Sequence, residues 1–365
     1  MKLGILNFQY SNYNYGAVLQ AAALEYVINN VSGERYNIEH IDFNPKSGYK
    51  YELKTIIKKA LIKFGLIENR LGVEIIPHHG NFENFRVNWL KRSKRVNNLD
   101  DFSKLLKTYD TLVVGSDQVW RPEYTSKHML AYFFDGAPKS SKKIAYAASF
   151  GQDHFSLSKA NSDFEKVNDL INNFNHVSVR EAHGVDICKS SFNVHAEHVL
   201  DPTLVAGAEY FQKIANQCKG HTSDLVYYKL DMTTVFKNSV NEICNNKSYS
   251  QSNIYYDEGG FHEVSYWLKS IKDAKLVITD SFHCVCLSIL FNKNFLCINN
   301  ESRGSSRLES LLDLVDIKDR FITESDLEKF SQGKLNLDDI NYDEVNKSLN
   351  DLRLESVSFI KRSLI

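Results

Sequence analysis

The sequence predicts an α/β protein of two Rossmann-like domains that face a cleft, followed by a C-terminal helix. Short apolar runs alternate with helix-like runs through most of the chain, which is typical of doubly wound sheets. The length of 365 residues suits about two domains. The last residues have apolar positions at helical spacing. We therefore expect domains at 1–205 and 223–340, with a helix at 341–365 packed on them.

The first half opens with a strand, a loop, a helix and a second strand. KLGILNF at 2–8 is a short apolar run, a helical stretch covers 17–30, and 36–43 alternates as a strand. Further strands are predicted at 110–120, 142–151 and 176–181, and further helices at 50–66, 82–90 and 157–174. This order favours a parallel sheet with helices on its faces.

A second series of the same kind begins near Asp224. Strands are predicted at 224–230, 275–283 and 295–299, and helices at 233–245, 262–274, 284–292 and 307–315. Proteins with two such domains place their chemistry at the carboxyl ends of the strands, in the cleft. Side chains in the loops that follow the strands are therefore the candidates for function.

Composition excludes several classes of protein. Lys and Arg total 44 against 45 for Asp and Glu, a net charge of −1, so no generally basic nucleic-acid binder is expected. The six cysteines form no CxxC pair, which argues against a zinc site or a disulfide framework and fits the reducing cytoplasm. No apolar run reaches the length of a membrane span. The lysines of 50–66 allow peripheral contact with a membrane surface, although a solvated basic face is the simpler interpretation.

Two loops of the first half carry polar side chains after strands. SNYNYGAVLQ lacks the glycines of a dinucleotide or P-loop motif, but Gly16 would let a ligand approach the backbone at a helix start. The same glycine can equally serve the turn alone. In GSDQVW, Asp117 is either a base or sugar-orienting group or an N-cap. Trp120, with Tyr124, is either a stacking wall for a sugar or a core residue.

The remaining candidates suit an anion. Arg180 ends the strand of SVRE and can clamp a carboxylate or phosphate, or pair with Glu181. TDSFH places Ser281 and His283 between a strand and a helix, and histidine is the best acid or base near neutral pH. ESRGSSR adds Arg303 and Arg307, which fit phosphate or carboxylate binding or a solvated loop. These groups together predict a locally basic cleft.

Taken together, these segments resemble the polysaccharide pyruvyl transferase family. The resemblance rests on runs that occur in the family's order over about 1–322: NYNYGAVLQAAAL, DTLVVGSDQVW, KKIAYAASFG, VSVRE, VLDPTL, AKLVITDSFHCVCLSILFNKNFLCI, and RxxSR followed by LESLLDLVDIKDR. The resemblance implies a GT-B-like fold and transfer of pyruvate from phosphoenolpyruvate to a sugar of a cell-surface polysaccharide precursor, as a ketal. Phosphoenolpyruvate would be a substrate, and neither a cofactor nor a metal is implied.

The resemblance also implies roles for particular residues. His283 would be the general acid and Asp117 would activate or orient an acceptor hydroxyl, so both are expected to be catalytic. The donor would be bound by Arg180, Arg303, Arg307 and Ser281, and the acceptor by Asn12, Tyr15, Gly16, Ser116 and Trp120. The chain departs from the family pattern at Cys284, where glycine is common, and at Arg303, where lysine is common. Either departure would change the geometry of the donor site.

Two other functions stay open on the sequence. The same architecture serves glycosyltransferases with nucleotide-sugar donors, and a chain of this kind could also be a non-catalytic partner in polysaccharide assembly. The expected location is the cytoplasm, with contact at the inner membrane surface left open. The acceptor sugar, its lipid, nucleotide or polymer carrier, and the oligomeric state are not determined by these residues.

Overall fold

Two parallel β-sheets organise the chain. The computed structural model describes residues 1–45, 76–300 and 305–365. The first sheet has six parallel strands in the order β2-β1-β3-β4-β5-β6. Its strands are β1 (Lys2–Leu6), β2 (Asn37–His40), β3 (Thr111–Val114), β4 (Lys142–Ala148), β5 (His176–Val179) and β6 (Glu197–His198). The interior strands are apolar and buried, as expected where helices cover both faces of a parallel sheet.

Helices connect and cover these strands. They are α1 (Tyr15–Ser32), α2 (Asn81–Trp89), α3 (Leu99–Leu106), α4 (Pro122–Thr125), α5 (Ser162–Ile171), α6 (Ala182–Phe192) and α7 (Pro202–Ala215). The 3₁₀ segments of this part are Gly33–Arg35 and Ser126–Phe133. Helix α7 carries a kink, because Gly207 has φ 79° and ψ 169° within it. Its chain leads directly into the second sheet.

The second sheet has five parallel strands in the order β13-β12-β11-β7-β8. Its strands are β7 (Leu225–Tyr228), β8 (Gln251–Asn253), β11 (Leu276–Thr279), β12 (Phe295–Ile298) and β13 (Phe321–Ile322), and β9 (Tyr256–Asp257) pairs antiparallel with β10 (Gly260–Phe261). The helices are α8 (Thr234–Lys247), α9 (Val264–Asp273), α10 (Phe282–Leu290), α11 (Ser306–Leu314), α12 (Glu324–Ser331) and α13 (Tyr342–Leu364), with a 3₁₀ turn at Lys318–Arg320.

The two sheets share one strand order. If the strands of each sheet are numbered in chain order, both sheets contain the order 2-1-3-4-5. In the first sheet this is β2-β1-β3-β4-β5, followed by β6, and in the second sheet it is β8-β7-β11-β12-β13. In each sheet the order reverses next to its first strand, between β1 and β3 and between β7 and β11. Ligands of doubly wound sheets bind at such switch points, beyond the carboxyl ends of the strands. Both halves therefore have a natural binding position.

Helix α1 lies between the two halves and is buried on nearly all sides. Leu24, Val27 and Ile28 pack against β1 and β2, whereas Val18 and Leu19 share a core with helices of the second half. The run of alanines at 21–23 lets neighbouring helices approach closely. A helix that is apolar all round belongs in the interior, and the sequence of α1 matches that position.

Helix α13 also contacts both halves. Val345 and Leu349 join the core around α1 and α7, and Phe359 and Ile360 pack with strands of the first sheet. Ser356 Oγ accepts a hydrogen bond from the Leu200 amide at 2.9 Å. The predicted C-terminal helix is therefore present and returns the chain to the first sheet, as the predicted two-sheet α/β fold requires.

The predicted elements that fall within the described residues are present with shifted bounds, but the pattern did not indicate several helices or the short strands β6, β8, β9, β10 and β13. Helices α3, α6 and α12 are short, and α7 occupies much of the stretch expected to connect two domains. The predicted helix at 50–66 lies outside the described residues, so its membrane contact stays a prediction. The division into 1–205 and 223–340 also stays a prediction. Among the residues that the structure describes, no helix is both long and apolar enough to cross a bilayer.

Tyr15 joins the halves through one side chain. Its ring stacks on Trp267 with centroids 5.0 Å apart, and its hydroxyl donates to the carbonyls of Tyr255 at 3.3 Å and His262 at 3.1 Å. We expect Tyr15→Phe to lower the free energy of unfolding by about 1–2 kcal/mol, because the two carbonyls lose the single O–H that they share. Denaturant unfolding measures this loss. Tyr124→Phe, at a half-exposed ring, is the control and should change stability by less than about 0.5 kcal/mol. Equal losses in the two variants would contradict this role for Tyr15.

Candidate active site

A cluster of charged side chains lies where the carboxyl ends of the first sheet meet the start of α10. Asp117 follows β3 and Arg180 follows β5, while Asp201 precedes α7. His283 enters from the first turn of α10, in the second half of the chain. All four side chains are buried. The parallel strands bring the first-half residues to one edge, and the packing of α1 against α10 adds the histidine.

Arg180 is held by carboxylates on several sides. Its Nε donates to Glu181 Oε1 at 2.9 Å, and its Nη1 lies 3.3 Å from Asp201 Oδ2 and 4.0 Å from Asp117 Oδ1. The guanidinium also stacks over the Phe282 ring at 4.1 Å. Nη2 is buried and has no hydrogen-bond partner among the described residues. Arg180 therefore pairs with Glu181 through Nε and still has an unused donor, Nη2, for a ligand.

The charges around Arg180 determine its ionisation. Burial alone would lower its pKa, but the carboxylates of Glu181, Asp201 and Asp117 together raise the pKa above that of free arginine. Arg180 therefore stays a cation in the interior. A buried guanidinium with one unused N–H edge is suited to a carboxylate or phosphate oxygen.

Asp201 also touches both halves. Its Oδ2 accepts from Ser116 Oγ at 2.7 Å and from Arg180 Nη1 at 3.3 Å, and it lies 3.5 Å from His283 Nε2. Its Oδ1 accepts from the Thr203 amide at 2.9 Å, which caps α7. Burial would raise the pKa of Asp201, but His283 and Arg180 hold that pKa well below its usual range. Asp201 is thus a fixed negative charge.

His283 is packed directly against Gly16. A Cβ added to Gly16 would lie 2.1 Å from His283 Nδ1, far inside van der Waals contact. The imidazole therefore sits between the first turn of α1, which presents Gly16, and the carboxylate of Asp201. The glycine is needed for this close approach and not for its backbone angles, because its φ is not positive.

Asp117 lies in a strained turn. Its φ of 83° is unusual for a residue with a side chain, and its carbonyl accepts at 3.1 Å from the amide of Ser149, which follows β4. Its Oδ1 accepts from the Gln118 amide at 2.9 Å and also faces Arg180. Strained backbone at such a position is common in binding and catalytic sites. The turn holds this carboxylate toward the cluster.

Arg307 approaches the same cluster from α11. Burial lowers its pKa, and the cation of Arg180 lowers it further, whereas Glu181 and Asp117 raise it. The start of α6 lies near α11, because the Ala182 amide donates to Ser310 Oγ at 3.5 Å. Arg303 lies outside the described residues, so its predicted role stays a prediction. The described part of the cluster thus holds two arginines from different halves.

The expected basic cleft stays a prediction, because Arg303 lies outside the described residues. Among the described residues, the carboxylates of Asp117, Glu181 and Asp201 outnumber the guanidiniums of Arg180 and Arg307. Two of these carboxylates are engaged in holding Arg180. The acids therefore fix the position of an arginine, and attraction for an anion depends on donors that remain unused.

Two predicted acceptor side chains lie in the core. Trp120 is fully buried, stacks on Phe133 at 5.2 Å and donates its indole N–H to the Tyr132 carbonyl at 3.1 Å. Tyr15 is fully buried against Trp267. Both rings are already covered on their faces, so neither is presented to a sugar in this structure. Trp120 is therefore a core residue, which is one of the two positions that the sequence allowed for it.

The other predicted contact residues lie in different places. Asn12 Oδ1 accepts from Arg86 Nη2 at 2.6 Å, which ties the first loop to α2. Ser281 is the partly buried N-cap residue of α10, and Ser116 is fully buried beside Asp201. Cys284 faces the apolar core of the second half, and burial raises the pKa of its thiol to about 12. The cysteine therefore packs away from His283 and is not a reactive thiol.

Two central residues, Asp201 and Glu181, were not predicted. Aspartate followed by proline is a common N-cap and first residue of a helix, so VLDPTL indicates a helix start. The motif gives no sign that the second carboxylate oxygen of Asp201 has other partners. Glu181 appeared only as a partner that would neutralise Arg180. Within the described ranges, no group of three or more His, Cys, Asp or Glu side chains is placed to hold a metal ion.

A second charged cluster follows the strands of the second sheet. Lys229 Nζ contacts the Asp231 carbonyl at 2.8 Å and carboxylate oxygens of Asp280 and Glu324 at 3.3 Å. Asp280 also accepts from the Leu230 amide at 2.8 Å. The ammonium thus has three oxygen partners, so this cluster ties loops together.

Comparison with known proteins identifies the family. The model of the polysaccharide pyruvyl transferase family matches residues 14–302, most of the chain. The chain belongs to the polysaccharide pyruvyl transferase family. The match includes Gly16, Asp117, Arg180, Asp201 and His283, so the charged cluster lies within the family region. No curated protein sequence matches the chain.

Solved structures support the fold of this family member. A Methanocaldococcus jannaschii UDP-GlcNAc 2-epimerase in complex with UDP-GlcNAc and UDP is similar with a TM-score of 0.50 and 12 % identity, covering 96 % of this chain and 99 % of that one. S. aureus MnaA with UDP has a TM-score of 0.51 and 9 % identity, covering 91 % and 87 %. At such identities the likeness shows the fold alone, and it confirms the predicted GT-B-like arrangement.

Replacing Gly16 tests the contact between the halves. We expect Gly16→Ala to cost about 1–3 kcal/mol of unfolding free energy, because the new methyl group overlaps the His283 ring. Gly220→Ala, whose added Cβ would meet nothing closer than 3.5 Å, is the matched control and should cost less than about 0.5 kcal/mol.

A double-mutant cycle locates the cause of that loss. Truncating the ring in Gly16→Ala/His283→Ala should remove most of the cost of the alanine at position 16. Denaturant unfolding of the four proteins gives the coupling. If Gly16→Ala costs the same in both backgrounds, the ring is not what the glycine accommodates.

Proposed function

We propose that the protein transfers pyruvate from phosphoenolpyruvate to a hexose of a cell-surface polysaccharide precursor, forming a pyruvate ketal and releasing phosphate. Membership of the pyruvyl transferase family supports the class of reaction. The observation that carries the donor assignment is the buried guanidinium of Arg180, with Nη2 unused, close to the Asp201–His283 contact. In this proposal phosphoenolpyruvate is a substrate and no cofactor is assigned.

The proposed chemistry begins at the donor. Phosphoenolpyruvate carries a carboxylate and a phosphate, and two arginines from different halves can each take one of them. His283 donates a proton to the methylene carbon, which becomes the methyl group of the ketal. The adjacent carbon then becomes electron-poor and is attacked by a sugar hydroxyl. The bond between this carbon and the phosphate oxygen breaks and phosphate leaves. A second hydroxyl of the same sugar then attacks the carbon and closes the ketal.

The protons balance in this scheme. One hydroxyl proton replaces the one that His283 has given to carbon, and the other leaves with phosphate.

Asp117 is assigned to the acceptor, since it is an anion held at the edge of the same cluster. Ser281 and Arg307 are assigned to the donor, and Arg303 would join them from outside the described residues. Phosphoenolpyruvate is a cytoplasmic metabolite, so the reaction is assigned to the cytoplasm, on an acceptor that is lipid-linked, nucleotide-linked or polymeric.

Product analysis tests the reaction directly. The purified protein should consume phosphoenolpyruvate and release phosphate only when a suitable hexose acceptor is present, and mass spectrometry should find a pyruvate ketal on that acceptor. A panel of nucleotide sugars without phosphoenolpyruvate is the competing arm. Nucleotide release there, with no ketal in the first arm, would favour a glycosyltransferase and overturn the proposal.

Two substitutions separate binding from chemistry. Arg307→Ala should raise KM for phosphoenolpyruvate with a smaller effect on kcat, because it removes a charge that binds the donor. His283→Ala should mainly lower kcat, on the order of 10² to 10⁴, because it removes the proton donor. Lys318→Ala, an exposed cation near the end of α11, is a control that should leave both constants unchanged. Wild-type constants in both test variants would mean that the site is assigned incorrectly.

A thermal shift examines donor binding without an acceptor. A ligand at 100 times its dissociation constant stabilises the folded state by about 2.7 kcal/mol, so millimolar phosphoenolpyruvate should raise Tm. The shift should be smaller in Arg307→Ala than in the wild type. An unchanged Tm in the wild type over the whole concentration range would speak against phosphoenolpyruvate as the donor.

A further inference from the structure

One carboxylate oxygen in this structure faces polar side chains from three different segments. Oδ2 of Asp201 accepts from Ser116 after β3 and from Arg180 after β5, and it faces His283 Nε2 of α10 at 3.5 Å. Its side chain is fully buried. Because Ser116 and Arg180 donate to Oδ2 and the Thr203 amide and hydroxyl donate to Oδ1, Asp201 has no oxygen left for a substrate. Any effect on the reaction must act through its neighbours.

The role of Asp201 as a helix cap does not explain this arrangement. The cap is made by Oδ1, which accepts from the Thr203 amide at the start of α7. An exposed second oxygen would serve a cap equally well, and burying it costs free energy unless it is paired. Here Oδ2 is turned inward, toward a cation and an imidazole that reach it from both halves. The second oxygen therefore has a separate function.

The contact specifies which nitrogen of His283 carries a proton. At 3.5 Å this is an ion-pair contact, and Nε2 makes no hydrogen bond among the described residues. An ionised carboxylate repels the lone pair of an unprotonated ring nitrogen, so the nitrogen that faces Asp201 is the one expected to carry the proton. That nitrogen is Nε2. The opposite edge of the ring, with Nδ1, lies against the first turn of α1 at Gly16. The ring is thereby held between a carboxylate on one side and a helix start on the other.

We propose that Asp201 is a positioning residue that keeps the proton of His283 on Nε2, so that Nδ1 is the atom that exchanges a proton with the donor. The same carboxylate sets Arg180 beside the ring, which couples donor binding to the orientation of the acid. In the reaction His283 starts as an imidazolium with a proton on each nitrogen: the Nδ1–H bond breaks, that hydrogen bonds to the methylene carbon, and the neutral ring that remains keeps its proton on Nε2, toward Asp201. The identity of this reaction rests on the proposed function, but the placement of the proton does not.

Histidine nitrogen shifts test the placement of the proton without any substrate. In protein labelled with ¹⁵N at histidine, neutral His283 should show a protonated Nε2 and an unprotonated Nδ1. The chain has 12 histidines, and the signal of His283 is assigned by its loss in His283→Gln. A wild-type signal with the proton on Nδ1 overturns the proposal, and this measurement needs no variant of Asp201 to fold.

The variant Asp201→Asn tests the cause. Asparagine is as good an N-cap as aspartate, so α7 should still begin at the same position. The amide can present its N–H groups to His283, so the proton should move to Nδ1 in part or completely. Asp280→Asn is the matched control, because Asp280 is an equally buried carboxylate next to α10 whose partners are Lys229, Leu230 and Asn300. An unchanged tautomer in Asp201→Asn, or an equal change in Asp280→Asn, overturns the proposal.

Kinetics add a measure that a purely structural role would not give. Asp201→Asn should lower kcat for pyruvyl transfer on the order of 10² to 10⁴, with a smaller change in KM for phosphoenolpyruvate. Asp201→Glu, which keeps the carboxylate, should recover part of kcat. A loss that falls on KM alone, or no recovery by glutamate, contradicts the positioning role.

The failures of the two proposals are distinguishable. If no pyruvyl transfer occurs but the tautomer changes in Asp201→Asn, the proposed reaction is wrong and the role of Asp201 in orienting His283 stands. If pyruvyl transfer occurs and the tautomer is the same in both proteins, the reaction stands and the role of Asp201 is overturned.

Discussion

A buried carboxylate is stable in a protein interior only with partners, and Asp201 obtains its partners from both halves of the chain. Ser116 and Arg180 reach it from the first sheet, and His283 reaches it from α10. These contacts tie the position of the imidazole to that of the guanidinium. The two groups that suit an anion and a proton transfer are therefore set by one negative charge, which the fold holds at the start of a helix.

That arrangement depends on close packing between the halves. Helix α1 presents a glycine to His283, and Tyr15, one residue earlier, stacks on Trp267 of the second half. Helix α13 contacts both sheets, and α7 continues from Asp201 into the shared core. Apolar contacts thus hold the histidine and the aspartate in register. An enzyme needs such a frame, because errors of about 1 Å in the placement of reacting groups can cost 10²-fold in rate.

Much of the fold could be predicted, since parallel strands buried on both faces are short apolar runs between helices. Eight strands of the two sheets and the C-terminal helix are where the pattern placed them, within a few residues, whereas the short edge strands β6, β8 and β13 were not predicted. Helices α3 and α6 were missed, because neither stretch stood out as a helical pattern between the predicted strands. The two sheets have the same strand order, but the sequence shows no internal repeat. Corresponding strands share buried positions and not identical side chains.

The sequence by itself determined the family, the two-sheet architecture and the loops in which chemistry is expected, because motif order and apolar periodicity are local properties of the chain. It also singled out Arg180, Asp117 and His283. Only the tertiary structure decided that Asp201 joins them, that Trp120 and Tyr15 belong to the core, and that Gly16 accommodates an imidazole. The physical reason is distance: these relations are contacts between residues far apart in sequence, and packing of the two halves creates them.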